Sequence, residues 1–420
     1  MRRTWLLVIV ALTLLPALLF ASGGSESAGA KTAKLLYWTQ AQVAHAPMVE
    51  AFVKAHPNIE IEQVDMPADE QRQVMMSALA SGTGPDVFYF ELGAGHVDPI
   101  LKANLVVELE DPAKRFGWKD KLTPFAQAEA THYGKLWAIP NEAEFIAMFY
   151  NKQLLGEYGA GEPKTADELA AVLEKIKKAG KHEPIAFGDS DKWPALHRIS
   201  LGFQWGDGGT DAARRAIFEG ASFDTPEFAR GIGLVQRLDK NYMPHLLERQ
   251  MGEAEAVFYS GGAVMMHSGT WNINGALTSD IADKIDFFIP ATPGKGPNTV
   301  AGCGGGWYAS TQSKYPEECL TFLDFTLSKE ATDIWFGYSF LPPIPIDVGS
   351  TSVPPMVAKA IQSIDAYDMG YFIHHFVSAE SVQWIREGYQ GLIAGTVTPE
   401  QYVKEFEKIA EQARADGFRP

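Results

Sequence analysis

An alternation in the first ninety residues does most to constrain what this chain can fold into. From residue 34 the sequence reads strand, helix, strand, helix, strand. KLLYWT is the first strand. Residues 47–55 carry Met48, Val49, Phe52 and Val53 on one helical face. IEIEQV alternates as a half-buried strand does. DEQRQVMMSALASG is apolar at Val74, Met75, Ala78 and Leu79 and stops at Gly82. DVFYF is the third strand. Strands separated by single helices run parallel and are covered by helices, and ligands of such sheets lie beyond the carboxyl ends of the strands. The third strand ends by delivering Tyr89, Phe90 and Glu91 to a loop with Gly93 and Gly95, and the first ends at Trp38, Thr39 and Gln40. Both ends face the same edge, which reads as the lip of a cleft.

At 420 residues the chain is long enough for two packed units. Two strand-like runs, YGKLWAIP and FIAMFYNK, are joined through Pro140, Asn141 and Glu142. A helix then opens on a capping box of Thr165 and Glu168, with Leu169, Val172, Leu173 and Ile176 as its stripe and Gly180 at its end. Further helices start at Thr225-Pro226 and Thr398-Pro399. AVMMH and KIDFFIP read as strands, and residues 299–310, TVAGCGGGWYAS, as one glycine-dense strand. The glycines at 302, 304, 305 and 306 suit either a hinge or a close packing of strand on helix.

Several classes of function are excluded or disfavoured. The formal charge is -16, which opposes nucleic acid as a partner. The only cysteines, Cys303 and Cys319, make no disulfide framework, and no Cys/His metal spacing occurs. His374 and His375 are adjacent and ill placed to share a metal. A GxxxxGK[ST] phosphate loop is absent. Residues 1–21 have a basic start at Arg2 and Arg3, a long apolar run and a small-residue end at Ala21, which reads as a secretory signal. An uncleaved anchor is the alternative; no cysteine stands at the cleavage site to make a lipoprotein. Residues 22–33 read as a flexible lead.

KLLYWTQ, ALASGTGPDVFYF, YGKLWAIPNEAEFIAMFYNKQLL, GGAVMMHSGTW and GGGWYASTQSKYPEECLTFLDF stand in this order. Together they resemble the extracytoplasmic solute-binding proteins of sugar ABC importers, the extracellular solute-binding family 1 or maltose-binding-protein group, over roughly residues 34–400. The resemblance implies a two-lobe α/β fold of the periplasmic-binding-protein type II, each lobe a mixed, mostly parallel sheet flanked by helices. One lobe would hold residues 31–142 and 307–338, the other 145–301 and 345–420. Hinges would lie near 142–145, 301–306 and 341–345. It also implies a monomer outside the cytoplasmic membrane, without a cofactor, delivering a sugar to permease subunits in other chains. The sequence departs from the maltose-binding pattern between Asp189 and Gly209 and after Leu341, the segments that shape the ligand.

A sugar presents hydroxyls at its rim and C–H patches on its faces, so its site needs aromatic plates and fixed polar groups. Trp38 and Gln40 at the first strand's end, Tyr89 and Glu91 at the third's, and Trp193 in the polar run DSDKWPALHR are candidates. Trp38 has core packing as its alternative. Strand alternation puts Tyr89 and Glu91 on one side and Phe90 on the other. Asp207 in QWGDGG is either a sugar contact or a turn residue. Trp307, after the glycine run, points either into the sheet or to the ligand. The resemblance assigns a sugar-binding acid to Glu144, with Glu142 as its competitor, a stacking aromatic to Trp271 and a site arginine to Arg386. Core capping by Trp271 and solvent exposure of Arg386 are the alternatives. Two functions compete: binding by lobe closure without chemistry, and an exported glycoside hydrolase using Glu91 and Glu144. A polyamine would need several site acids and an iron complex a tyrosine cluster, neither of which the tryptophan-rich set offers.

Overall fold

The computed structural model describes residues 32–40, 44–292, 296–345 and 353–420. The signal read in residues 1–21 and almost all of the lead after it lie outside these. Two larger sheets organise the described residues, beside a two-stranded pair of Thr131–His132 with Lys135–Leu136. The first runs in the order Ile59–Met66, Ala33–Gln40, Val87–Glu91, Gly305–Ala309 and Ile139–Pro140. The second runs Asp368–Tyr371, Asn298–Gly302, Glu144–Asn151, Ala263–Gly269 and Glu183–Ala186, with Ile285–Phe288 paired to Glu144–Asn151. Each sheet has its own apolar core, one centred on Leu35, Tyr37, Phe88, Phe322 and Trp335, the other on Phe149, Leu173, Ile199, Met265 and Phe406.

The β-α-β-α-β start folds as read. Ala33–Gln40 pairs in parallel with both Ile59–Met66 and Val87–Glu91, linked through helices His45–Ala55 and Ala68–Ser81. Gly82 takes the left-handed conformation that ends the second helix. Met75 and Leu79 are buried on that helix, but Val74 is exposed, because the core reaches only a narrow stripe. The capping box at Thr165 is half formed. Its hydroxyl accepts from the Glu168 amide at 3.1 Å, while Glu168 reaches back to the Lys164 amide instead.

Both sheets are less parallel than the alternation implies. Gly305–Ala309 runs antiparallel to Val87–Glu91, and Glu144–Asn151 antiparallel to its three partners. The cause lies in the crossings. Residues 299–310 are two strands in different sheets, split at Cys303-Gly304, and YGKLWAIP and FIAMFYNK are likewise divided between the sheets. A strand that arrives at a crossing and one that departs from it must point opposite ways. Helix–strand pairs between crossings keep the parallel sense.

Three crossings lie side by side. The first is residues 141–143 and the second residues 303–304. The third falls at Phe340 and Leu341, whose side chains belong to the first and second core respectively. The Asn141 amide donates to the Gly305 carbonyl at 3.0 Å, and the Gly305 amide to Asn141 Oδ1 at 3.2 Å. The Ala143 amide donates to the Leu341 carbonyl at 2.8 Å. The glycines here serve close approach. A Cβ on Gly302 would stand 2.2 Å from the Phe372 ring, and one on Gly305 2.3 Å from the Tyr89 ring. Both thiols are buried and free.

The glycine-bearing loop after Glu91 opens the helix Ala94–Lys102. It lies hard against the second lobe: a Cβ on Gly93 would be 2.4 Å from His375 Cα, and one on Gly95 2.2 Å from Val382. Among the described residues no helix is long and apolar enough to cross a membrane.

Candidate cleft site

The carboxyl ends of the first lobe's strands do face a cavity, of about 540 Å³, bounded by both lobes and the crossings. Gln40, Tyr89 and Glu91 reach it from those strand ends, as alternation requires, while Phe90 points into the core. Glu142 lines it from the first crossing, Glu144 from the start of the strand that follows, and Trp193, His197, Glu255, Trp271 and His374 from the second lobe.

The first lobe contributes an ion pair. Arg72, on Ala68–Ser81, places Nη1 3.3 Å from Glu91 Oε1. His96 Nδ1 stands 3.2 Å from Glu91 Oε2. Burial pushes the Glu91 carboxyl up, but Arg72, with His96, Arg386 and His375 behind it, outweighs burial and holds the group at about 2. Burial carries His96 down to about 3 against the pull of Glu91. At neutral pH its ring is therefore uncharged, and Arg72 and Arg386 are the cations that answer Glu91. Gln40 is steadied by Gln71, at 3.2 Å, which itself donates to the Tyr89 carbonyl at 2.8 Å.

The crossings contribute neutral acids. Glu142 and Glu144 are both buried. Burial raises Glu142, which accepts from Asn141 Nδ2 at 3.1 Å. Burial, then the charges of Glu142 and Glu129, raises Glu144 further. The Glu144 carboxyl occupies the space a side chain at residue 304 would take, 2.4 Å from a Cβ there. Glu129, from the first lobe, contacts His375, from the second, beneath this pair. A protonated carboxyl both donates and accepts, so the crossings offer hydroxyl partners of either sense.

The second lobe contributes aromatic plates. Trp193 precedes helix Pro194–Gln204, and Trp271 lies in the single turn Thr270–Asn272. Their rings stand 5.9 Å apart at 66°, forming a corner. Asp189 fixes the Trp193 loop: its Oδ1 accepts from the Ala195 amide at 2.8 Å, and its own amide donates to the Leu246 carbonyl at 2.7 Å. Beneath, Arg198 pairs with buried Asp239, which also accepts from Tyr389 at 2.8 Å, and this anchors the helix. Trp271 packs on both cores, so it is shared between the lobes.

Four of the residues singled out in the sequence stand away from the cavity lining. Trp307 is buried and donates to the Tyr37 hydroxyl at 2.9 Å, in the first lobe's core. Trp38 is half-buried against that same core. Asp207 is an exposed turn residue paired with Arg230. Arg386 lies behind the wall, where its charge acts on Glu91, His96 and His374. Sequence reasoning missed Arg72, His96, His197, Glu255 and His374. Polar Gln71 on the stripe of Met75 and Leu79, and His197 within a wholly buried helix, were the available signals.

A model of the bacterial extracellular solute-binding protein family matches residues 47–360. An uncharacterized ABC transporter extracellular-binding protein of Pyrococcus horikoshii is 27% identical over 243 residues, 56% of this chain and 54% of that one. The multiple sugar-binding protein of Streptococcus mutans is 23% identical over 355 residues, 81% of this chain and 82% of that one. The chain thus spans about half the length of its Pyrococcus relative and most of the streptococcal one. Among solved structures, a chitin oligosaccharide binding protein is similar with a TM-score of 0.78 at 24% identity, over 92% of this chain and all of that one.

Proposed function

Since the chain belongs to the bacterial extracellular solute-binding protein family, we propose that it captures a neutral sugar or short oligosaccharide outside the cytoplasmic membrane and delivers it to the permease of an ABC importer. The observation that carries this reading is the indole corner of Trp193 and Trp271 in a cavity that also holds buried, neutral Glu142 and Glu144. Indole faces suit the C–H patches of a sugar ring, and the acids suit its hydroxyls. A volume of about 540 Å³ falls in the range of small-molecule sites and leaves room for more than one ring. The streptococcal relative's name, a multiple sugar-binding protein, points the same way.

Three adjacent crossings are the places about which two lobes with separate cores can rotate. Closure buries the ligand, and the closed pair of lobes is the surface a permease reads. The Arg72–Glu91 pair belongs to one wall, and Trp193 belongs to the other.

The hydrolase alternative has an ionised Glu91 and a protonated Glu144, the protonation states such an enzyme uses. Glu91, however, is engaged by Arg72 at 3.3 Å and flanked by His96 at 3.2 Å, so it is not free to attack a sugar carbon. A thermal-shift screen of mono- and oligosaccharides tests the proposal, because a ligand of the native state raises the melting temperature by mass action. A sugar that raises it and is recovered uncut supports binding without chemistry. Cleavage that disappears in Glu144→Gln overturns it.

A further inference from the structure

We propose that His197 and His374 are the residues that read the ligand's hydroxyls, and that they set the preference of the cleft for a neutral, fully hydroxylated sugar over deoxy and charged relatives. The inference rests on the sugar reading above and names residues of that same cleft. Both side chains line the cavity, yet His197 is only 9% exposed and His374 only 3%. In each ring Nδ1 is buried without a hydrogen-bond partner among the described residues. The two rings meet edge to face at 5.2 Å. His374 in turn meets His96 of the first lobe at 6.0 Å, and His197 meets Trp271 at 5.3 Å and Trp193 at 5.7 Å. An imidazole strip therefore runs from the first lobe's ion pair to the indole corner.

Packing alone does not call for nitrogen at these positions. Phe372 lies parallel to His374 at 5.5 Å and meets His197 edge-on at 4.6 Å, so phenyl rings would satisfy the same neighbours. A buried polar atom without a partner costs free energy, and a partner that arrives with the ligand recovers it. Both rings are uncharged: burial carries His197 down to about 3, and burial, then the neighbouring imidazoles and Arg386, puts His374 well below its ordinary value. A neutral imidazole holds one donor and one acceptor. A hydroxyl is both, so each nitrogen finds a match whichever tautomer forms. A carboxylate or an ammonium could pair with the same nitrogen in the matching tautomer, but each would bring an unpaired charge into a buried setting.

The test is titration calorimetry on the full chain. The probes are D-glucose, D-galactose, D-xylose, N-acetylglucosamine, their 1,4-linked di- and trisaccharides, and monodeoxy analogues of whichever binds. Wild type should reject at least one monodeoxy analogue by about 10-fold or more, since that analogue leaves a buried nitrogen unpaired. His197→Phe or His374→Phe should lose about 10-fold in affinity for the parent sugar and bind the parent and that analogue alike. Ring-nitrogen NMR of wild type needs no variant to fold: the two imidazoles should shift from unbonded to hydrogen-bonded positions as sugar is added. Wild type that binds a sugar while both Phe variants keep its affinity and its deoxy discrimination, or while the ring nitrogens stay unmoved, overturns the assignment and leaves the sugar reading standing. Wild type that binds none of the panel overturns both.

Discussion

Asp189→Asn should gain stability relative to wild type as pH rises from 4 to 8. Asp189 is fully buried, and its Oδ2 has no partner among the described residues. Burial raises the carboxyl to about 8, against the opposing hydrogen bond from the Ala195 amide. The native state then keeps a proton that the unfolded chain sheds above its ordinary value of 3.8. A group raised in this way contributes stability below the lower value and loses it as pH climbs through the upper one. Holding the proton costs the native state about 1.4 kcal/mol for each pH unit crossed. Over this window that sums to about 5 kcal/mol, a ceiling that relaxation around the group reduces to about half. Asparagine does not titrate, and its Oδ1 can still accept from the Ala195 amide. Its NH₂ has no better partner than the acid's OH had, so the variant's absolute stability at pH 4 is not the informative quantity. The informative quantity is the difference between wild type and variant, measured by urea unfolding with tryptophan fluorescence at pH 4 and pH 8. It should move in favour of asparagine by about 2–5 kcal/mol between the two. A difference that stays constant with pH would mean that Asp189 is ionised in the native protein.

Trp193→Ala and Trp271→Ala should each weaken sugar binding by about 1 kcal/mol or more in calorimetry, from loss of a stacking face. Trp307→Phe should leave affinity alone and instead lower the melting temperature, because the indole hydrogen bond to buried Tyr37 is lost. Gly304→Ala places a methyl where the Glu144 carboxyl lies, and should cost about 1–3 kcal/mol in stability and weaken binding as well; unchanged affinity would remove Glu144 from the ligand's contacts. Small-angle scattering should show the chain become more compact with the sugar that binds, and no change with a tight ligand would argue against rotation at the crossings.

What could be read in the sequence was what depends on near neighbours. The opening alternation gives Ala33–Gln40 and Val87–Glu91 their parallel pairing, and therefore a common edge at which Gln40 and Glu91 emerge. Trp193 could be picked out because a polar run surrounds it. Trp307 could not be placed from its strand, whereas Ala33–Gln40 alternates between buried and less buried positions and sets Trp38 on the less buried face. Every residue of Glu144–Asn151 and of Gly305–Ala309 is buried, so alternation carries no inside-outside signal there. The split of residues 299–310 between sheets was equally hidden. It depends on pairing with Val87–Glu91 and Glu144–Asn151, each more than 150 positions away. The imidazole strip was hidden for the same reason. His96, His197 and His374 come from three distant helical segments, and only the contact of Ala94–Lys102 with the second lobe brings them together.

The electrostatics of the cleft connect these long-range contacts to the kind of guest it suits. The chain as a whole carries -16, and a surface of that charge attracts cations. The cleft does not share that character. Of the acids on its wall, burial pushes Glu142, Glu144 and Glu255 upward, and Glu91 is held ionised opposite Arg72. The first two are neutral because the crossings that carry them form the floor between two cores, where water is displaced. His96, His197 and His374 are uncharged for the same reason. A cationic solute would find ionised Glu91 already engaged by Arg72. An anionic one would have to draw Arg72 away from Glu91 in a buried setting, where leaving a charge unpaired costs several kcal/mol, roughly 3–5. A neutral guest asks for neither exchange. Its hydroxyls meet groups that donate and accept without a net charge, and its apolar faces meet indole, so burying it between the lobes leaves the existing ion pair intact.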